Sequence, residues 1–198
     1  MNTDFFDPNS YFIDQKVHFF RFENVFRIYD DLGVQIGSVN QKLTGRQKAL
    51  RFLVSNAFLP FLIEIRDTHD ELLFTLTRGW TFFMSRINIL DAKGSMMGMI
   101  QQKFKVIRPL FRIFDNFGVL KGEISGDWKA WNFVVRNPEG AQIGLITKKW
   151  AGMKEIFTTA DKYKLTVDQH YATKEDKIFL IAGAISIDMV LKEKSKSG

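Results

Sequence analysis

Apolar and polar residues alternate along most of the chain in short runs, and the alternation breaks five times in the same way. Each copy reads apolar-x-apolar-x-Asp-x-x-Gly and then runs into an apolar-Gly-x-apolar tail. The copies span Phe26–Val39, Ile63–Leu76, Ile87–Ile100, Phe111–Ile124 and Phe133–Ile146. An acid or its amide opens every break (Asp30, Asp67, Asp91, Asp115, Asn137), and Gly33, Gly94, Gly118 and Gly140 close four of them, with Asp70 in the second copy. A type I turn favours Asp or Asn first and Gly fourth. Alternation on both sides then makes each copy a β-hairpin. A further glycine recurs seven residues after the turn acid, at Gly37, Gly98, Gly122 and Gly144, where a curved strand needs close approach or a kink. A sheet of serial hairpins must hide or close its edges.

The segments between the repeats extend this picture. Tyr11–Val17 alternates as a first strand, Trp80–Met84 reads as a further strand, and Lys154–Leu165 continues in the same style. Residues 1–10 form a loose arm broken at Asp7-Pro8-Asn9. The last element is different: Ile178–Leu191 has no alternation and no polar face. A helix that is apolar all round is buried in protein or in lipid. Those residues rise only about 21 Å as a helix, short of a hydrocarbon core of about 30 Å, and Asp188 within them is costly in lipid. A sheet of about twelve strands curled into a barrel gives the helix a place and removes the exposed edges. The predicted architecture is therefore mainly β: a closed antiparallel barrel of about twelve strands around a buried C-terminal helix at about 175–191. It forms a single domain over residues 11–191, followed by a basic tail at 192–198.

Composition narrows the chemistry. The 198 residues include no Cys and only three His (His18, His69, His170), far apart in the chain. Disulfides and thiolate metal sites are excluded, and a His-based metal centre is disfavoured. No G-x-S-x-G, Cys–His or paired-Glu motif appears, and the recurring Asp residues sit at turn positions, so no side-chain catalysis is expected. The chain lacks an N-terminal basic-then-apolar signal pattern, which favours the cytoplasm. A net charge of +6 favours anionic partners. Three basic clusters stand out: Lys42, Arg46, Lys48 and Arg51 ahead of the Phe-rich stretch Phe52–Leu62; Lys103 and Lys105, with Arg108 and Arg112; and Lys148 and Lys149, with Lys154. Basic residues beside apolar ones suit an interface with anionic lipid headgroups. A solvated loop followed by a core strand is the favoured reading of the first cluster in sequence terms, with the lipid contact as its alternative. Trp128, Trp131 and Trp150 lie near hairpin ends, where packing at a barrel rim is the favoured reading.

One stretch carries a family resemblance. Ile146-Thr147-Lys148-Lys149-Trp150-Ala151-Gly152-Met153-Lys154-Glu155-Ile156-Phe157-Thr158-Thr159-Ala160-Asp161-Lys162-Tyr163 is similar to the I-x-K-x-W-x-G-x-x-x-E-x-F-T-D-A-D-x-F/Y signature of the phospholipid scramblase family, within the Tubby-like and LURP-one-related group, with the acid one residue early. Asn24–Asp30, Gln102-Lys103-Phe104 with Pro109–Ile113, and Ile181–Asp188 resemble further family stretches, so the likeness runs from about Tyr11 to Leu191. It implies a barrel of about twelve strands around a central C-terminal helix. It also implies a peripheral membrane protein that binds anionic phospholipids and takes part in phospholipid scrambling; the basic clusters supply Lys42, Arg46, Lys48, Arg51, Lys103, Lys105, Lys148 and Lys149 as the expected headgroup-binding residues. The family's Pro-rich tail and Cys cluster are missing here. Its acidic calcium segment is reduced to Asp161 and the more distant Asp168, with Lys162 and Lys164 among them, a poor match to the six or more oxygens calcium takes. No other cofactor is implied. The alternative is a non-catalytic scaffold whose basic surface meets an acidic protein or nucleic acid, although no recognition-helix or RNA-binding motif supports the latter.

Overall fold

The computed structural model describes residues 4–16, 25–42, 59–81, 84–103, 109–127, 129–148, 162–171 and 173–195. Twelve strands run in chain order: β1 (Ser10–Lys16), β2 (Val25–Tyr29), β3 (Gln35–Lys42), β4 (Phe61–Asp67), β5 (Leu72–Arg78), β6 (Arg86–Asp91), β7 (Met96–Lys103), β8 (Leu110–Asp115), β9 (Leu120–Asp127), β10 (Asn132–Arg136), β11 (Gln142–Thr147) and β12 (Lys162–Val167). Every strand pairs antiparallel with its sequence neighbours, and β1 pairs with β12, so the sheet closes into a barrel. Closure leaves no free edge.

The five repeats are the hairpins β2–β3, β4–β5, β6–β7, β8–β9 and β10–β11. In the third, the Gly94 N–H donates to the Asp91 carbonyl at 3.0 Å and the Asp91 N–H donates to the Ser95 carbonyl at 2.9 Å. The Asp91 carboxylate then accepts the Lys93 and Ser95 N–H groups at 2.9 and 2.8 Å. Asp30, Asp67 and Asp115 repeat this pattern. These acids are turn formers, as their spacing implied. The closing position is left-handed throughout, at φ 83° in Gly94 and φ 64° in Asp70, which explains glycine in four copies and a tolerant Asp in the other.

Each hairpin also carries one bulge, for example at Met97, where Ile89 pairs with Gly98 but Leu90 pairs with Met96. The recurring glycine follows the bulge immediately. A Cβ on Gly98 would fall against the Phe114 carbonyl oxygen of β8 and within 2.8 Å of the Phe179 ring. Close approach of strand to strand and of strand to helix is therefore the reason for that glycine.

Alternate residues point into the lumen. Ile63 and Ile65, Ile87 and Ile89, Phe111 and Ile113, and Tyr163 and Leu165 are all buried there. The lumen is filled by α1 (Lys174–Ser195), which follows a 3-10 turn at Gln169–Tyr171. The Thr173 hydroxyl accepts the Asp176 N–H at 3.1 Å and caps the helix, and Glu175 and Asp176 face the positive end of its dipole. From Ile178 to Val190 every residue is buried. The helix lacks a polar side because wall surrounds it on all sides.

Three sequence expectations change in detail. The arm is not loose over its described residues: Phe5 is buried in the core against the Tyr11 ring, and the Phe6 carbonyl accepts the Lys177 ammonium at 2.5 Å. Trp80, Thr81 and Met84 lie in the connection between β5 and β6 rather than in a strand. The run lacks alternation, and Gly79 breaks it from β5. β12 is described from Lys162, and residues 149–161, which include most of the stretch Lys154–Leu165 read as strand, lie outside the described residues. The helix starts at Lys174 and extends to Ser195, through part of the stretch read as a tail.

Candidate functional site

Serial hairpins give the barrel two unlike ends. The five hairpin turns lie at one end, where the arm and the start of α1 also pack. The Val167 N–H donates to the Asn9 carbonyl at 2.8 Å, and the Asn137 amide donates to the Tyr171 hydroxyl at 2.5 Å. The other six connections start and finish at the opposite end, toward which α1 runs. Counted from the turn acid or amide to the fifth residue, the turns hold eight acids (Asp30, Asp31, Asp67, Asp70, Glu71, Asp91, Asp115, Glu139) against one base, Lys93. Among the described residues, the strand feet and connections at the other end carry Lys42, Arg86, Lys103, Lys129 and Lys148 against Asp127. The described charges are therefore unevenly divided between the two ends.

The expected headgroup ligands that fall in the described residues all sit at the basic end. Lys42 closes β3, exposed, with its Nζ 3.6 Å from a Glu64 carboxylate oxygen. Lys103 closes β7, half-buried. Lys148 follows β11 with its Nζ 4.4 Å over the Trp131 ring. Their strands are spaced four apart in a ring of twelve, so the three lysines mark thirds of the rim and share no patch. Arg46, Lys48, Arg51, Lys105, Lys149, Trp128, Trp150 and Asp161 lie outside the described residues.

Between Lys42 and Lys103 the rim is apolar as well as basic. Leu62 pairs directly beside Lys42 and points outward. Trp80 and Met84, in the β5–β6 connection, are 53% and 46% exposed. Arg86 opens β6, exposed, opposite Gln101. The arc from β3 to β7 covers four strand spacings, roughly 19 Å. Sequence reasoning passed over Trp80, Met84 and Arg86 because Trp80–Met84 was read as strand; Gly79 and the missing alternation were the available signals.

A buried polar knot holds this connection. The Arg78 guanidinium turns inward, donates to the Leu59 carbonyl at 2.8 Å and the Ser85 hydroxyl at 3.3 Å, and lies 4.6 Å over the Phe61 ring. The Gln102 N–H donates to the Ser85 carbonyl at 2.8 Å, and the Gln102 side-chain oxygen accepts the Ser85 N–H at 3.3 Å. Both feet of the 79–85 connection are thereby fixed, which presents Trp80 and Met84 from a rigid base.

A second assembly sits around Lys148. Trp131 stacks on Tyr163 at 5.6 Å and meets Phe133 edge-on at 6.0 Å. Trp131 thus packs the rim, as its position suggested. Burial, and then the nearby Asp188 carboxylate, push the Tyr163 hydroxyl well above its ordinary range. Asp188 is fully buried on the lumen helix.

Of the two calcium candidates, Asp161 lies outside the described residues. Asp168 is exposed, and its carboxylate accepts the His170 N–H at 2.9 Å. No group of three or more His, Asp or Glu able to hold a metal occurs among the described residues. No helix among them is long and apolar enough to cross a membrane.

A family model described as Scramblase matches residues 15–194. The chain belongs to the scramblase family. Altered inheritance rate of mitochondria protein 25 of Saccharomyces cerevisiae (strain ATCC 204508 / S288c) is 22% identical over 205 residues, covering 83% of this chain, which spans 63% of that protein's length. A solved structure of a protein from Arabidopsis thaliana superposes with a TM-score of 0.52 at 12% identity, over 95% of this chain and 93% of that one, and shows the same fold. Scramblase-family membership points to a lipid-related role. It does not point to a classical enzyme.

Proposed function

We propose that this scramblase-family chain is a peripheral membrane protein that binds anionic phospholipids through the basic end of its barrel. The observation that supports the reading is the separation of charge among the described residues: acids gather at the hairpin-turn end, and Lys42, Arg86, Lys103, Lys129 and Lys148 stand at the other. Each Lys or Arg close to an anionic leaflet contributes about 1 kcal/mol, and salt screens the attraction. A ring of separate lysines suits many headgroups in a plane better than one headgroup in a pocket.

The filled lumen bears on scrambling. A lipid crossing through the protein needs a polar path, and α1 closes that path with Ile181, Ile185 and Ile187. In this fold, the contribution to scrambling is to hold or perturb one leaflet surface from outside.

The test is co-sedimentation with vesicles of phosphatidylcholine alone and of phosphatidylcholine with phosphatidylserine, at low and physiological salt. Pelleting with the anionic vesicles only is the expected result. Replacing Lys42, Lys103 and Lys148 together by Glu is expected to weaken it by about 3 kcal/mol or more, roughly a hundredfold. Absence of pelleting in all four conditions would refute lipid binding and turn attention to an acidic protein partner.

A further inference from the structure

The lipid-binding reading leaves open how the barrel sits on the surface. Charge alone would let the barrel lie on its side, because Lys121 and Arg27 on the wall are also cations. Two observations choose otherwise. The first is the distance between the ends. The eight residues of β7 span roughly 27 Å of strand, or about 20 Å along a tilted barrel axis. That is more than twice the screening length of about 8 Å at physiological salt. A membrane at the basic end therefore feels that end almost alone, while the eight turn acids oppose any approach of the other.

The second observation is the β5–β6 connection. Trp80, Met84 and Leu62 are exposed apolar side chains on the rim, bracketed by Lys42 and Arg86. Trp concentrates at membrane–water interfaces because its ring is apolar at one side and donates a hydrogen bond at the other. Basic residues at either side then find the phosphate layer while the ring enters below it. The Arg78–Ser85–Gln102 knot means that little chain entropy is lost when the connection inserts. The turn end also exposes apolar residues, Leu32 and Val34 at 77% and 53% and Phe117 and Val119 at 85% and 57%, but these sit on hairpins opened by Asp30 and Asp115, in a ring of acids.

We propose that the barrel docks end-on to an anionic lipid surface, with Trp80 and Met84 inserted in the headgroup layer and the hairpin-turn end pointing away. The proposal rests on the lipid-binding reading and adds the insertion residues and the orientation.

The chain contains no cysteine, so single labels can be placed cleanly. Met84→Cys and Phe117→Cys, both exposed positions, are each coupled to an environment-sensitive nitrobenzoxadiazole dye. Each is then mixed with phosphatidylcholine–phosphatidylserine vesicles carrying quencher-labelled acyl chains. In parallel, Trp80→Ala is compared with the parent protein by sedimentation. The expected result is a blue shift and strong quenching of the dye at position 84 and none at position 117. Trp80→Ala is expected to weaken vesicle binding about tenfold while its far-ultraviolet circular dichroism is unchanged. Pelleting of the parent with quenching at 117, at both positions or at neither would overturn the end-on orientation and leave lipid binding standing. Failure of the parent to pellet would remove both.

Discussion

At the hairpin-turn end one motif is written five times and folds the same way each time: a carboxylate or amide gathers the N–H groups that follow it, a left-handed residue closes the turn, and a bulge restores the register. At the opposite end the described parts of the connections are held in different ways. One is held by a buried guanidinium and a glutamine, another by a lysine–tryptophan–tyrosine stack. The difference follows from the forces at work. The turns are local, so a five-residue code suffices, and repeats can share it. The connections cross from one hairpin to the next, and the β5–β6 connection is held through residues distant in sequence, Arg78 and Leu59. Repetition makes a rigid end with little chemical variety. Irregularity makes an end that can carry specific basic and aromatic groups.

If the repeated end is set by steric and local rules, it should fail where those rules are broken, and the largest loss is expected at Gly98. Gly98→Ala places a methyl against the Phe114 carbonyl and the Phe179 ring. A loss of about 2–3 kcal/mol in urea unfolding is expected. A change within about 0.5 kcal/mol would mean that the strand and helix can part at no cost, and the steric account of the glycine would fail.

A smaller effect is expected at a turn acid. Asp91→Ala removes the acceptor of the Lys93 and Ser95 N–H groups and should cost about 1–2 kcal/mol, while leaving vesicle binding unaltered, since Asp91 stands at the far end. Weakened binding in this variant would break the division of labour between the ends.

The finest distinction concerns pH. The Tyr163 hydroxyl has no hydrogen-bond partner among the described residues, and burial, followed by Asp188, raises its pKa well above the ordinary value near 10. Burial first, then Asp4 and Asp7, raises the Tyr11 hydroxyl in the same direction at the other end. Above pH 10 the unfolded chain releases these protons and the folded chain keeps them. The folded state then binds more protons, so stability is intact below about pH 10 and falls as pH rises beyond it. Tyr163→Phe is expected to change stability at pH 7 by no more than about 1 kcal/mol and to reduce the alkaline slope by up to about 1.4 kcal/mol per pH unit. Thermal unfolding between pH 8 and 11 measures both. An unaltered slope would place the alkaline loss elsewhere, with Tyr11 the first alternative.

Much of this was legible in the residues. The turn motif named the hairpins, the seven-residue offset marked the close-approach glycines, and the apolar run from Ile178 identified a helix needing wall on every side. The local interactions involved are short in sequence and carry their own signature. The site was far less legible. Lys42, Lys103 and Lys148 were visible as bases, but Trp80 and Met84 were hidden within a run of aromatic residues that resembles a strand. What keeps that run out of the sheet is Gly79 and the inward turn of Arg78, and the second of these depends on Leu59 and Ser85 being brought beside it.

The sequence by itself determined the elements, because turn chemistry, alternation and all-round apolarity act within a few residues of their cause. It also determined the sum of charges. Only the tertiary structure decided their arrangement. Closing β1 on β12 turned a row of hairpins into a ring, set the acids at one end and the bases at the other, and spaced three lysines around a rim that no local pattern encodes. The physical reason is that a barrel's ends are made by chain closure, and closure is a property of all the strands at once.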